Sequence, residues 1–400
     1  MANVFDGVRI VELAQYVFVP GASVMLADQG AEVIKIEPPG LGDPYRTLKI
    51  GDGREIDGVN LAMEQNNRNK KSLALDLKSE EGREALLRLV ETADVFLTSL
   101  RPKAIRALRL DVDDLRARNP RIIYARGNGY GFKGGEADKP GFDSSAFWAR
   151  GGMCYALTRP GQQPTSSRPS LGDHTSSLSL AYGIASALFK RAATGEPSVV
   201  ETSLLATAVW VLSGDVTYSQ KPGYKVHGVQ ATRPPLKYAY TTRDGRIIQL
   251  MLLDPRPHWV PLCRLLGLEA LAGDPRFVDN EARTQHADEL IDLIQKVIGA
   301  KDWADWAPAF AAWDAPWELI RSIDDVISDP QVHANGMFIP MTVGGQKIRV
   351  VAGPTAFDGC TALADAAPSP DLGEQTAALL AELGYSPAEI AALRARSVVQ

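Results

Sequence analysis

The strongest constraint on what this chain can fold into is an alternation of strand and helix that begins in its first residues. Val8 to Leu13 reads as a strand, Pro20 to about Gln29 as a helix, Gly30 as its stop and Glu32 to Glu37 as a second strand. The βαβ pattern recurs. A helix opens at Ser79 with Glu80 and Glu81 in its first turn, and strands follow at Asp94 to Thr98 and Arg121 to Arg126. Strands that alternate with helices bury both faces of a parallel sheet, so the expected class is α/β with helices on both sides.

With 400 residues the chain exceeds what one ordinary hydrophobic core organises, and two domains are expected. A composition 45% apolar and 23% charged excludes a disordered or fibrous chain. The net charge of -5 argues against a nucleic-acid partner. Cys154, Cys263 and Cys360 are widely separated and lack CxxC spacing, so neither a disulfide framework nor a metal site is expected, and a reducing cytoplasm fits. Asp6, Arg9 and Glu12 interrupt the first apolar run, and no stretch approaches the roughly 20 apolar residues of a membrane span. No leader or membrane anchor is expected.

At Tyr238 to Leu252 the pattern changes to a hairpin with Asp244-Gly245 at its turn, which marks a second domain. Helical stretches follow around His258 to Leu268 and Asp288 to Ile298, and Trp303, Trp306, Trp313 and Trp317 read as its core. Pro-rich and Gly-rich punctuation at Ala352 to Pro354 and Ala367 to Pro370 precedes a closing pair of helices.

The segment PSLGDHTSSLSLAYGIASALFKRAATG places Leu180, Ile184, Ala187 and Leu188 on one helical face and ends at Gly195. Asp173 stands at the entrance of this helix. By position it reads as an N-cap; the same location favours an ionised carboxylate able to act as a nucleophile, with Gly172 admitting a ligand close to the backbone. The loop Gly127-Asn128-Gly129-Tyr130-Gly131 follows a strand and offers backbone N–H groups for an anionic intermediate, although a tight turn explains its glycines equally. Asp143 is a candidate for orienting a group near Asp173, or a cap. His174 is assigned no role.

Several segments together carry a resemblance. FDGVRIVEL, GAEVIKIEPPG, NRNKKSLALDLKSEEG, ADVFLTSLRP, GYG followed by ADKPGFD, SLGDHTSSLSLAYGIASAL, DPQVHANGM and DLGEQT follow one another as they do in family III (CaiB/BaiF type) CoA-transferases, which the chain resembles along nearly its whole length. The resemblance implies a doubly wound, Rossmann-like large domain from residues 1–220 and 331–400, and a smaller α+β middle domain at 221–330. It further implies an interlocked, ring-like homodimer with the active site between subunits. Coenzyme A and acyl-CoA would be substrates, with no permanently bound cofactor and no metal.

In the mechanism so implied, the Asp173 carboxylate attacks an acyl-CoA, a mixed anhydride and then an aspartyl-CoA thioester form, and the acceptor acid reverses these steps. CoA contacts carry over to Val17, Phe18, Glu37, Pro38, Leu75, Asp76, Leu77, Lys78, Ser99, Leu100, Arg101, Phe142 and Asp143, with Gly129, Tyr130 and Gly131 as the loop beside the intermediate. Three positions depart from the family pattern: Val17 replaces a frequent glutamine, Ala107 a phosphate-facing arginine, and Pro140 a lysine. Arg106, Arg109 and Lys139 are the flanking cations offered in compensation.

The aromatic residues Phe147, Trp148 and Tyr240 hint at a bulky or apolar acid as substrate. Three rival readings remain. A 2-methylacyl-CoA racemase on the same fold would need a proton-shuttling histidine where this chain has Phe142. A dinucleotide oxidoreductase would need GxGxxG where the chain has Val19-Pro20-Gly21. An inactive CoA-binding homologue is the third.

Overall fold

In the computed structural model of the chain, residues 3–48, 55–56, 58–227, 234–358 and 366–400 are described; Cys360 lies outside them. Two compact units form, Met1–Thr217 with Pro330–Gln400, and Tyr218–Asp329.

The first unit is built on β1 (Arg9–Leu13), α1 (Phe18–Ala27), β2 (Glu32–Glu37), α2 (Leu61–Asn67), β3 (Lys70–Ala74), α3 (Glu80–Glu91), β4 (Val95–Thr98), α4 (Pro102–Leu108), β5 (Ile123–Asn128), α5 (Leu171–Thr194), β6 (Val199–Ser203) and α6 (Leu204–Val211). Its sheet runs β3-β2-β1-β4-β5-β6 with every pairing parallel. This is the doubly wound order. The strand sequence reverses direction between β1 and β4, and at such a switch point the loops leaving the carboxyl ends part to form a crevice.

Local chemistry explains where the elements begin. Helix α1 starts at Phe18, two residues before the expected Pro20, because a proline in the first turn gives up only an N–H that has no helical partner. Strand β5 starts at Ile123 rather than Arg121, since Asn119 holds residues 119–122 in a turn through Arg121 N–H (3.0 Å) and its own carbonyl accepts Ile122 N–H (3.1 Å). Ser79 caps α3 as its sequence predicts, accepting Gly82 N–H at 3.0 Å.

Two apolar layers flank the sheet. Leu86, Leu89 and Val90 of α3 pack with Leu379 and Ile390 on one face, and α1 packs with Leu180, Ile184 and Ala187 of α5 on the other. Each fully buried Leu or Ile contributes about 1.5–3 kcal/mol.

The second unit holds an antiparallel sheet of β7 (Ala239–Thr241), β8 (Ile247–Leu250) and β9 (Trp317–Leu319), with β8 central. Gly245 takes a φ of 82° at the β7-β8 turn, a conformation open to glycine at little cost. Helices α7 (Trp259–Leu266), α8 (Ala287–Ile298) and α9 (Trp303–Ala311) cover the sheet. Trp306 is buried there, and the half-buried Trp303, Trp313 and Trp317 surround Phe310 with ring centroids 5.0–6.1 Å away.

The chain then returns to the first unit through the hairpin β10 (Phe338–Val343) and β11 (Gln346–Val351) and ends in α10 (Thr376–Glu382) and α11 (Pro387–Ala395). The DLGEQT segment fastens to β3: Ser72 N–H donates to Gln375 Oε1 (2.7 Å), Ala74 N–H to Thr376 Oγ1 (3.0 Å) and Gly373 N–H to Ser72 Oγ (2.9 Å). Val398 accepts Asp76 N–H at 2.8 Å. The carboxyl-terminal segment therefore braces residues 75–76, one wall of the crevice. Among the described residues, no helix is long and apolar enough to cross a membrane.

Candidate active site

The expectation that Asp173 caps α5 is corrected by the structure. Ser170, at φ 61°, precedes the helix and makes no side-chain cap, while Asp173 is the third helical residue. The capping carboxylate belongs to Asp143, whose Oδ2 accepts Gly172 N–H at 3.1 Å. Gly172 is required at this junction, because a Cβ there would lie 2.3 Å from Phe147 Cγ and 2.6 Å from Asp143 Oδ1. Asp143 opens a π-helical run, Asp143–Arg150, that buries Ala146, Phe147 and Trp148.

Among the described residues, no cation is placed to offset the charge of the two carboxylates. Withdrawal from water, followed by the negative charge of Asp143, pushes the Asp173 carboxyl up to about 7. Burial also raises Asp143, against the pull of the neighbouring backbone N–H groups, and its Oδ1 is buried with no hydrogen-bond partner. The helix terminus is expected to favour an ionised Asp173; burial and the charge of Asp143 act against it and raise the group into the neutral range.

Helix α1 reaches the same point. Ser177 Oγ lies 2.6 Å from Phe18 O and 2.8 Å from Asp173 O, which share its single hydrogen, and Gly21 permits the approach, since a Cβ on it would lie 2.6 Å from Ser177 Oγ. Val17 and Phe18 are buried, so their side chains serve the packing of α1. Ahead of them, Tyr16 adopts φ 66° and sets its ring edge-on to Phe142 at 5.3 Å. Phe142 is 59% exposed. By contrast Phe147, Trp148 and Tyr240 are buried; Trp148 Nε1 donates to Thr165 O (2.9 Å) and Tyr240 OH to Pro235 O (2.7 Å). The open aromatic surface beside the two carboxylates therefore comes from Tyr16 and Phe142.

The loop after β5 is held by Asn128, whose Oδ1 accepts Gly131 N–H (2.6 Å) and whose Nδ2 donates to Gly131 O (2.8 Å). The Gly131 N–H is thereby occupied, which corrects its place among candidate oxyanion donors. Gly129 packs on Gly141, and Tyr130 lies against Gly141 and beneath Lys139 Nζ, 4.9 Å from the ring centroid.

At the switch point lies a cleft of about 760 Å³, open at its mouth, lined by Ala14, Gln15, Glu37, Pro38, Asp43, Leu75, Asp76, Leu77, Lys78 and Leu100 among others. Of the sequence-derived contact residues, Glu37, Pro38, Leu75, Asp76, Leu77, Lys78 and Leu100 line it, whereas Val17, Phe18, Arg101, Arg106, Lys139, Phe142 and Asp143 do not. Ser99 sits at its edge, accepting Gln15 N–H at 3.0 Å. Glu37 is engaged internally by Arg46 (2.7 Å), Ser72 Oγ (2.7 Å) and Asp43 N–H (2.9 Å), which makes it a brace of the wall. A second groove of about 840 Å³ shares Leu77, Lys78 and Leu108 with the cleft and adds Arg83, Ala107 and Arg109.

The flanking cations divide. Arg109 reaches that groove, paired with Glu80. Arg106 lies 3.4 Å from Asp138, Arg101 donates to Asp138 O at 3.1 Å, and Lys139 pairs with Glu136 at 2.8 Å. Sequence reading missed Arg83, whose Nη2 is 2.7 Å from Glu80, because its spacing is that of an ordinary exposed helix charge. It also missed Tyr16, for which a positive φ at a non-glycine leaves no sequence signal. Among the described residues, no group of three or more His, Cys, Asp or Glu is placed to hold a metal.

The doubly wound sheet with a crevice at its switch point places the chain in the α/β class of proteins that bind ligands at such crevices, and the raised-pKa carboxyl of Asp173 is its candidate reactive group. Comparison with known proteins narrows this. The chain belongs to CoA-transferase family III, whose profile matches residues 5–376. It is 34% identical to the cinnamoyl-CoA:phenyllactate CoA-transferase of Clostridium sporogenes, covering 97% of this chain and 95% of that protein. It is 31% identical to the (R)-2-hydroxy-4-methylpentanoate CoA-transferase of Clostridioides difficile, covering 99% of each. Among solved structures, a CaiB/BaiF family protein from Brucella suis superposes with a TM-score of 0.81 at 28% identity, over 96% of this chain and 100% of that one.

Proposed function

We propose that this enzyme moves CoA from an acyl-CoA donor to a free carboxylic acid by way of a covalent intermediate on Asp173. The observation that carries the residue assignment is the half-buried carboxyl of Asp173 in the first turn of α5, raised to about 7 by burial and by Asp143, with the Tyr16–Phe142 contact linking this helix terminus to the loop whose Ala14 and Gln15 line the cleft. A carboxylate so poorly stabilised is a stronger nucleophile than an exposed one, and the helix N-terminus favours charge that develops there.

In the first step an Asp173 oxygen bonds to the acyl carbon, the C–S bond breaks and CoA leaves as thiolate. The thiolate then attacks Asp173 Cγ of the mixed anhydride, expelling the donor acid as carboxylate and leaving an aspartyl-CoA thioester. The acceptor carboxylate attacks Cγ in turn, thiolate departs, and its attack on the acceptor's acyl carbon releases the new acyl-CoA and restores Asp173. Thioester energy is conserved throughout.

The cleft lined by Glu37, Pro38, Leu75, Asp76, Leu77, Lys78 and Leu100 is the proposed seat of the CoA arm, with Lys78, Arg83 and Arg109 in the adjoining groove as its phosphate-facing cations. The exposed ring of Phe142 and the Tyr16 edge favour an acid with an apolar or aryl side chain, in keeping with the phenyllactate and 4-methylpentanoate substrates named for the two relatives. Phe142 also disfavours the racemase alternative, because it has no proton to exchange.

An interlocked homodimer is part of the same proposal. Leu171, Leu178, Tyr182 and Phe189 form an exposed apolar row at intervals of seven, four and seven along α5, and Val209 and Trp210 of α6 are exposed as well. Such a row is expected to be covered by a second copy of the chain.

The test is transfer itself. Incubation of an aryl or branched acyl-CoA with a free acid of similar class is expected to yield the exchanged acyl-CoA without ATP, and Asp173→Asn to abolish it. Tight CoA binding with no exchange across a broad acid panel would favour the inactive homologue.

A further inference from the structure

The loop between β1 and α1 is where doubly wound proteins commonly place a glycine-rich turn. Here residues 14–16 contain no glycine. Instead, three consecutive residues have a backbone group gripped by a side chain from strand β2 or from the loops that follow β2 and β4. Lys35 Nζ donates to Ala14 O at 2.9 Å, Gln15 N–H donates to Ser99 Oγ at 3.0 Å, and Tyr16 N–H donates to Asp43 Oδ1 at 3.1 Å. Asp43 also accepts Tyr45 N–H at 2.9 Å.

The grip is anchored deep in the molecule. Lys35 lies 2.9 Å from Asp43 Oδ2 and 3.0 Å from Glu12 Oε1, and Lys70 lies 2.9 Å from Glu12 Oε2, all four side chains being fully buried. Charges buried this way are costly to assemble unless each is paired, and none of them takes part in the transfer chemistry described above.

What the loop connects gives the cluster a purpose. Ala14, Gln15 and Asp43 line the switch-point cleft. One residue further on, Tyr16 meets Phe142, which precedes the Asp143 that caps Asp173's helix. Residues 14–16 thus run from the cleft to Phe142, the neighbour of the carboxylate that caps Asp173's helix, and Tyr16 is held there in a conformation that a free chain would rarely adopt.

We propose that Asp43, fixed by Lys35, is a positioning residue of the transfer reaction: it locks the 14–16 loop so that a thioester delivered along the cleft arrives in line with Asp173. The inference rests on the transfer reaction proposed above. A loose loop would still bind CoA, since the cleft walls remain, but would misplace the acyl carbon by a fraction of the attack distance. Misplacement of that order lowers turnover rather than affinity.

Two substitutions at Tyr16 separate geometry from contact. Tyr16→Asn and Tyr16→Val both remove the ring, but asparagine tolerates φ > 0 and the β-branched valine does not. With steady-state transfer as the readout, Tyr16→Val is expected to have a kcat about tenfold below Tyr16→Asn, with KM for acyl-CoA within about threefold. Asp43→Asn keeps an oxygen for the two N–H groups but turns an amide donor toward Lys35; a kcat about 30-fold below wild type at nearly unchanged CoA affinity is expected.

Equal kcat for the two Tyr16 variants, or a loss in Asp43→Asn confined to KM, would overturn the positioning role. Should Asp43→Asn fail to fold, the Tyr16 pair decides alone. Wild-type enzyme that transfers CoA with no adduct on Asp173 would overturn the nucleophile assignment, and the same Tyr16 comparison would still decide the clamp.

Discussion

Glu12 and Asp173 are two withdrawn carboxyl groups in one α/β unit, and their environments drive them in opposite directions. Burial by itself would raise the Glu12 pKa, yet Lys70 and Lys35, with the Ser23 hydroxyl, draw it down to about 2. Burial raises Asp173 too, and there the neighbouring charge is another carboxylate, Asp143, so the group rises to about 7. Withdrawal from water sets the stake in both places; the sign of the neighbour decides the outcome. A fully paired cluster belongs to the framework, whereas a pair of like charges at a helix terminus is the environment expected of the proposed reactive site.

Neutralising each group therefore has a different consequence. Asp173→Asn removes the only proposed nucleophile and is expected to lower transfer by roughly 10⁴-fold or more, read as exchanged acyl-CoA by chromatography. Glu12→Gln leaves Lys70 buried without its anion and should cost about 3–5 kcal/mol of unfolding free energy in a urea titration. A Glu12→Gln protein of wild-type stability would dissolve the comparison.

The pH dependence sharpens it further. Only ionised Asp173 attacks, so with a pKa of about 7 the rate of adduct formation should fall about 100-fold from pH 8 to pH 5. A flat profile over that range would place the group in the ordinary carboxylate range instead.

The smallest effect concerns stability. Asp173 has a folded pKa raised from 3.8 to about 7, so its favourable contribution is present below pH 4 and is lost as pH rises toward 7. Asp173→Asn is therefore expected to raise the melting temperature by a few degrees at pH 8 and to leave it unchanged at pH 4, as scanning calorimetry would register. An equal rise at both pH values would show that charge is not the cause.

Much of the framework was legible in the sequence because it rests on local rules. The βαβ alternation, the Ser79 cap and the Gly195 stop each follow from a residue's own backbone preference, and each element lies within two residues of its expected bounds or at them. Asp173 stood out in the sequence as a candidate, but its environment did not. Its capping role passes to Asp143 across 30 positions of sequence, and its raised pKa depends on which charges the fold brings near, neither of which has a local signature.

The same limit applies to the clamp on residues 14–16. Lys35 and Glu12 read as alternating polar residues in strands β1 and β2, where a lysine commonly faces solvent; only the parallel register, which sets Glu12 opposite Lys35, puts them inside together. Phe147 and Trp148 failed as pocket aromatics for the complementary reason. Their π-helical segment turns them into the core and leaves Phe142, one residue before it, at the surface.

The most direct measurement is to trap the intermediate. Enzyme incubated with an acyl-CoA donor, quenched with hydroxylamine across pH 5 to 8 and digested for mass spectrometry should carry a hydroxamate on Asp173, half-maximal in its initial rate near pH 7. Hydroxamate on another residue, or none on Asp173 while CoA transfer proceeds, would contradict the account.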